Sequence, residues 1–160
     1  MKRNLIYCTL IPLILLILMG ISACSAEINS ADDAQSVSET LTIVSTFFQE
    51  NGRPLGENTV QISNKNNQNT YLLSEDGALR VANVPRESDL TFTLLDENER
   101  RLGSLSLQFV TGAITDASTG SENRGRVTVK NDVEEVNLIF TLMENGGMQC
   151  ALDLTEYLET

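Results

Sequence analysis

The chain has 160 residues, 41% hydrophobic and 5% aromatic, with no Trp and no His. That length suits one ordinary domain. Eleven Lys and Arg against 22 Asp and Glu give a net charge of −11, so phosphate backbones are repelled and nucleic acid is a poor partner. Without His there is no Ser-His-Asp or Cys-His set, no imidazole metal ligand and no imidazole pH switch. Enzymes built only on carboxylates, Lys or Tyr remain formally open.

The first segment reads as an address rather than as structure. Lys2 and Arg3 make a positive head, Leu5 to Met19 is a mostly apolar run, and small residues follow up to Ala23 and Cys24. This is the pattern of a secretory signal, which is set aside in fold reasoning. Two plainer readings compete: Cys24 as an ordinary residue after a conventional cleavage site, and an uncleaved membrane helix. The second is short, since about 15 apolar residues face the roughly 20 needed to cross hydrocarbon, and Pro12 interrupts them.

The exit Ile21-Ser22-Ala23-Cys24 resembles the lipobox of bacterial lipoproteins. The resemblance implies that Cys24 receives a diacylglycerol, that the chain is cut before it, and that residues 24–160 remain. Cleavage removes Lys2, Arg3 and no acid, so the charge moves from −11 to −13. Each buried methylene contributes about 0.8 kcal/mol, so two or more acyl chains hold a protein stably on a bilayer. Ser25 is not the Asp that retains many lipoproteins at an inner membrane, so the expected location is the cell membrane or an outer membrane, on the extracytoplasmic side.

Of the three cysteines, Cys8 lies in the leader and Cys24 goes to lipid, which leaves Cys150 without an intrachain partner. Its place in the alternation Met148, Cys150, Leu152, Leu154 predicts an inward-facing core thiol.

Residues 25–40 are small, polar and acidic and read as a flexible linker, spanning roughly 20–25 Å on average. From Leu41 onward the apolar period is two. Runs are expected at Leu41–Gln49, around Val60 and Ile62, Thr70–Leu73, and around Leu79 and Val81. Further runs follow at Leu90–Leu94, Leu105–Phe109, Val127–Val129, Val136–Leu142 and Met148–Leu154. Between them lie turn signals such as Asn51-Gly52, Asp76-Gly77 and Asn145-Gly146. About nine short strands and no convincing helix predict an all-β domain over residues 41–160, an antiparallel two-sheet sandwich. The tail at Tyr157 and Leu158 is open between strand and helical turn. Most Phe residues fall on inward positions.

The stretch Glu50-Asn51-Gly52-Arg53-Pro54-Leu55, then Thr59-Val60-Gln61-Ile62, then Leu73 to Val81 closing in Asn83-Val84-Pro85, resembles the carboxypeptidase regulatory-like, or prealbumin-like, β-sandwich domains. Leu73-Ser74 stands where that family has Thr-Asp, and the following Gly is missing. The resemblance implies a prealbumin-like or immunoglobulin-like sandwich that is not itself catalytic and that supports folding, spacing or binding. Gly52 and Gly77 fit positions of positive φ, and Pro54 pre-sets a bend. A related adhesin family forms Lys–Asn isopeptide bonds, but Lys65 sits in an Asn-rich loop and Lys130 alternates outward, so none is expected.

Thr111 to Arg124 is the longest gap between runs and reads as a solvated connection with a potential binding role. Asp116, Ser118, Glu122 and Asn123 offer oxygens for a hard cation, in no EF-hand spacing. Asp96 to Arg101 reads as a solvated charged turn. Tyr71 and Tyr157 are the exposed aromatic candidates, too few for a carbohydrate platform. No catalytic set, metal set or cofactor site is identified. The sequence thus describes a lipid-anchored, non-enzymatic binding module for an envelope protein or surface polymer, or else a structural spacer. A carboxylate-dependent hydrolase is the remaining reading.

Overall fold

A computed structural model describes residues 38–120 and 122–155. The leader, the lipobox residues Ile21, Ser22, Ala23 and Cys24, and Tyr157 lie outside the described residues. Ten strands form: β1 (Thr40–Gln49), β2 (Thr59–Ser63), β3 (Gln68–Leu72), β4 (Ala78–Pro85), β5 (Ser88–Leu95), β6 (Arg101–Gly112), β7 (Asp116–Thr119), β8 (Arg124–Lys130), β9 (Glu135–Leu142) and β10 (Met148–Leu152). One sheet has the order β10-β9-β1-β4 and the other β3-β2-β5-β6-β8-β7. The expected two-sheet sandwich is present.

Alternation is what makes the layers. Along β1 every second residue from Leu41 to Phe47 is buried, and β2, β5, β8 and β9 repeat the pattern. The buried faces meet in one core that holds Phe47, Phe92, Phe109 and Phe140. Phe47 stacks on Phe140 with centroids 4.6 Å apart, and Phe92 of the facing sheet tilts against Phe140 at 4.9 Å. These rings tie the two sheets across the roughly 10 Å between them.

Three expectations need correction. The sheets are not purely antiparallel: β1 pairs β9 in parallel, and β6 pairs β8 in parallel. The Thr111–Arg124 gap is not a single connection. Thr111 and Gly112 end β6, and Asp116–Thr119 form β7, which pairs β8 through Asp116↔Thr128 and Thr119↔Gly125. Chain that turns back after three residues and lies one strand further out leaves room for β8 between β6 and β7. The last strand ends at Leu152, and Leu154 is 54% exposed.

Alternation also breaks inside β4, where Ala82 and Asn83 are both exposed. Leu41 pairs Val84 but Ile43 pairs Val81, so one extra residue is accommodated opposite β1. Asn83 adopts φ 58 there, a conformation that Asn tolerates better than most residues.

The motif with the family resemblance proves to be turn chemistry at one end of β1. Phe47 N donates to Gly77 O and Phe47 O accepts from Leu55 N, both at 2.9 Å. The two halves of the motif therefore meet on one residue's backbone. Gly52 and Gly77 have φ 81 and 77, as expected. At Gly77 a Cβ would sit 2.5 Å from Phe47 O, so both conformation and space exclude a side chain. Ser74 closes the same turn, its hydroxyl accepting from Ala78 N at 2.9 Å.

At the opposite end of β1, Arg86 does what no local pattern announced. It is 4% exposed, and its guanidinium donates to three backbone carbonyls. Nε reaches Ser38 O at 2.6 Å, Nη1 reaches Lys130 O at 3.1 Å and Nη2 reaches Val133 O at 2.5 Å. One side chain thus gathers the start of β1, the end of β8 and the β8–β9 turn. A planar fork with five donors is suited to that geometry.

The edge strands meet along one side. Thr119 Oγ1 of β7 accepts from Cys150 N at 2.8 Å and lies 3.1 Å from Cys150 O of β10. Asn123 Oδ1 accepts from Met148 N at 3.4 Å. This seam covers two edges that would otherwise present unpaired backbone.

Candidate functional site

The candidate site lies on the outer face of the six-stranded sheet. The same period of two that buries Leu90, Leu105 and Leu107 turns Thr91, Thr93, Ser104, Ser106 and Gln108 outward. Register then places them side by side: Thr91 opposite Ser106, Thr93 opposite Ser104, Asp89 opposite Gln108. The hydroxyls bond each other, Thr91 to Ser106 at 2.9 Å and Thr93 to Ser104 at 3.2 Å. On the neighbouring strand Arg124 pairs with Ser106 and Arg126 with Gln108. Two residues apart in a strand, both arginines share that outer face.

Short side chains flanked by long ones leave a depression of about 700 Å³. Thr91, Ser106 and Gln108 form its floor, and Arg124, Arg126 and Asp89 contribute its charges. Arg126 Nη2 donates to Gln108 Oε1 at 3.1 Å, which holds one guanidinium in place. The Arg124 side chain has no hydrogen bond or ion pair among the described residues, its backbone carbonyl accepting from Gly120 N at 2.7 Å.

Charge bookkeeping singles this place out. From Ser38 onward the chain has nine Lys and Arg. Arg80, Arg100 and Lys130 pair with Glu135, Asp96 and Asp132, each at 2.7 Å, and Arg86 is spent on carbonyls. Of the remaining five, Arg124 and Arg126 are the two brought together on one strand face. A guanidinium pair beside hydroxyl and amide groups can grip carboxylate or phosphate oxygens in bidentate fashion while neighbouring groups bond hydroxyls.

The other candidates sort plainly. Asp116 and Ser118 sit on β7, and Glu122 and Asn123 occupy the β7–β8 turn with φ 66 and 53. Asn123 is engaged with Met148 N, and its own carbonyl accepts from Ser106 N at 2.9 Å. No group of three or more Cys, Asp or Glu fit to hold a metal ion occurs among the described residues. The Asp96–Arg101 turn satisfies itself. The Asp96 carboxylate accepts from Asn98 N, Arg100 N and Arg100 Nε, and the Arg100 side chain holds the Asp96 pKa below the usual carboxylate range. The Lys130 ammonium lowers that of Asp132 in the same way. Tyr71, expected to be exposed, is half-buried and packs against the core. Cys150 is buried as predicted, and burial pushes its thiol up to about 12. Lys130 points outward and pairs Asp132.

Sequence reasoning passed over the Arg124/Arg126 depression and Arg86. The first had a signal in Arg-x-Arg spacing within a run of alternating apolar residues. The second had none, because its partners lie 44 to 48 residues away along the chain.

A second, apolar depression of about 550 Å³ lies near Arg86, lined by Ala113, Ile114, Thr115, Val133, Leu152 and Leu154, with the Lys130–Asp132 pair at its border. Among the described residues no helix is long and apolar enough to cross a membrane.

No protein-family model matches the chain, and no curated protein matches it. Among solved structures it is similar to the dioxygenase domain of a novel dioxygenase carbohydrate-binding protein fusion from the cellulolytic bacterium Streptomyces sp. SirexAA-E. That likeness has 11% identity, a TM-score of 0.35 and covers 59% of this chain and 80% of the other. At that TM-score it carries no argument about architecture or chemistry.

Proposed function

We propose that the protein is a membrane-anchored extracytoplasmic lipoprotein whose sandwich is a non-enzymatic module for binding a protein or cell-envelope partner. Cys24 after Ile21-Ser22-Ala23 supplies the anchor, and residues 25–37 the spacing. The observation that carries the binding role is the depression with Arg124 and Arg126. It brings two guanidinium groups, neither in an ion pair among the described residues, together with Asp89 around a hydroxyl floor in a chain of net charge −11. Such a surface suits a partner presenting isolated carboxylates or phosphates amid hydroxyls, as envelope polymers and acidic protein loops do. A long polyanion is disfavoured by the overall charge.

Crosslinking of the intact protein in envelope preparations tests this reading. Wild type should capture a defined partner, and Arg124→Gln with Arg126→Gln together should lose it, with the melting temperature unchanged. Capture that survives both changes removes the depression from the argument. Arg53→Gln with Lys65→Gln, in the β1–β2 and β2–β3 connections, removes the same two charges elsewhere and serves as the charge-matched control.

A structural spacer is the second reading, favoured by the same anchor and by a fold held by turns and core. A spacer tolerates loss of both arginines and fails when the linker is shortened.

A further inference from the structure

The described chain begins at Ser38, and its position is fixed by one side chain. Arg86 Nε bonds Ser38 O while Nη2 of the same guanidinium bonds Val133 O. The point where the linker joins the domain and the Val133 wall of the apolar depression are therefore immediate neighbours. Ile114 is 68% exposed and Leu154 54% exposed within that depression. The third exposed large apolar residue among those described, Leu72, stands apart at the far end, on the edge strand opposite Thr59. So, among the described residues, two of the three exposed large apolar side chains lie at the Ser38 end.

Ile114 is carried by the three-residue connection between β6 and β7, and Leu154 follows the end of β10. Both project from the same end of the sandwich as Ser38. The one ion pair at the border, Lys130 with Asp132 at 2.7 Å, compensates its own charge. Nearby Asp116 adds a negative charge, so the shoulder suits a zwitterionic lipid surface better than an anionic one.

We propose that this apolar shoulder rests on the lipid surface and stands the sandwich with its Ser38 end down. The inference rests on the anchor reading for Cys24. Thirteen residues separate Cys24 from Ser38, and a linker of that length reaches roughly 20 Å on average. Headgroups therefore stay within range at an effective concentration on the order of millimolar. Two aliphatic side chains bind lipid too weakly to recruit a free protein, yet suffice to orient one already tethered.

The test uses the full lipidated protein in phosphatidylcholine vesicles that contain a headgroup-level nitroxide lipid. A fluorophore is placed on Ala113→Cys, exposed beside an intact Ile114, or, as control, on Asn51→Cys in the exposed turn at the other end of β1, about 30 Å away at 3.3 Å per residue. Cys150 is buried with a raised pKa, so labelling goes to the introduced thiol. Quenching at position 113 should exceed that at 51 by at least threefold, and adding Ile114→Glu with Leu154→Glu should abolish the difference. Equal quenching at 113 and 51 in protein that floats with the vesicles overturns the proposal and leaves the anchor standing. Protein that does not float overturns both. Efficient disulfide dimers of the unlabelled Ala113→Cys protein on vesicles assign the face to a second copy and overturn it as well.

Discussion

Replacing Arg86 by methionine removes three donors from a site that is 4% exposed and leaves Ser38 O, Lys130 O and Val133 O behind. Hydrogen bonds to a charged group contribute about 1.5–3 kcal/mol each, and a stranded buried acceptor costs about 1–3 kcal/mol. The three are not independent, and loss of a buried charge returns some desolvation energy. The net expectation is a destabilisation of about 3–5 kcal/mol, a large share of the 5–15 kcal/mol typical of a domain. Lysine keeps the charge but gathers its donors on one nitrogen, so Arg86→Lys should recover less than half of the loss. Urea denaturation followed by circular dichroism measures both, with ΔG taken at unchanged m. A loss below about 1 kcal/mol for Arg86→Met, or full rescue by lysine, refutes the idea that this fork holds the end of the sandwich together.

Other outcomes follow from the same geometry. Gly77→Ala forces a Cβ to 2.5 Å from Phe47 O at φ 77, and should lower the urea midpoint by the equivalent of about 1–3 kcal/mol. Thr119→Val removes the acceptor for Cys150 N and should speed exchange of that amide, costing about 1–2 kcal/mol; unchanged exchange shows that the seam does not hold. Burial raises the Cys150 thiol from 9.0 to about 12, so the unfolded chain ionises first as pH climbs. The thiol's contribution is complete below pH 9 and falls away as pH rises toward 12, a slope that Cys150→Ala should lack in pH-dependent denaturation. In the folded protein at pH 8 the same thiol should react with a disulfide reagent far more slowly than in urea. Cys24→Ser should move the protein out of the membrane fraction; retention there refutes acylation.

The layers of the fold were legible because a period of two needs no long-range information. Val60, Ile62, Leu90, Phe92, Val136 and Phe140 all fall on the apolar phase of the alternation, and all are buried. Strand direction carries no such signature, since parallel and antiparallel neighbours bury the same alternate residues. Hence the β1–β9 and β6–β8 pairings were invisible. β7 was hidden because Asp116-Ala117-Ser118-Thr119 has no large apolar residue, and its place depends on β8 and β10. Arg86 follows Val84-Pro85 in what reads as a polar turn, and only its distant carbonyls reveal a buried role. The Arg124/Arg126 site lies between these cases: alternation puts both side chains on one face, but the hydroxyl floor beneath them comes from β5 and β6 through register.

The parallel pairing of β1 with β9 has a consequence for how the chain acquires its shape. The first strand occupies an inner place in its sheet, and its partner on one side, from Glu135 onward, is among the last segments to be made. Joining segments so remote requires closing a very long loop before any reward is collected, which slows the reaction and delays it until the chain is nearly complete. The inner pair of that sheet forms only once the C-terminal strands are available, so the first strand waits, unpartnered on that side, for the end of the chain.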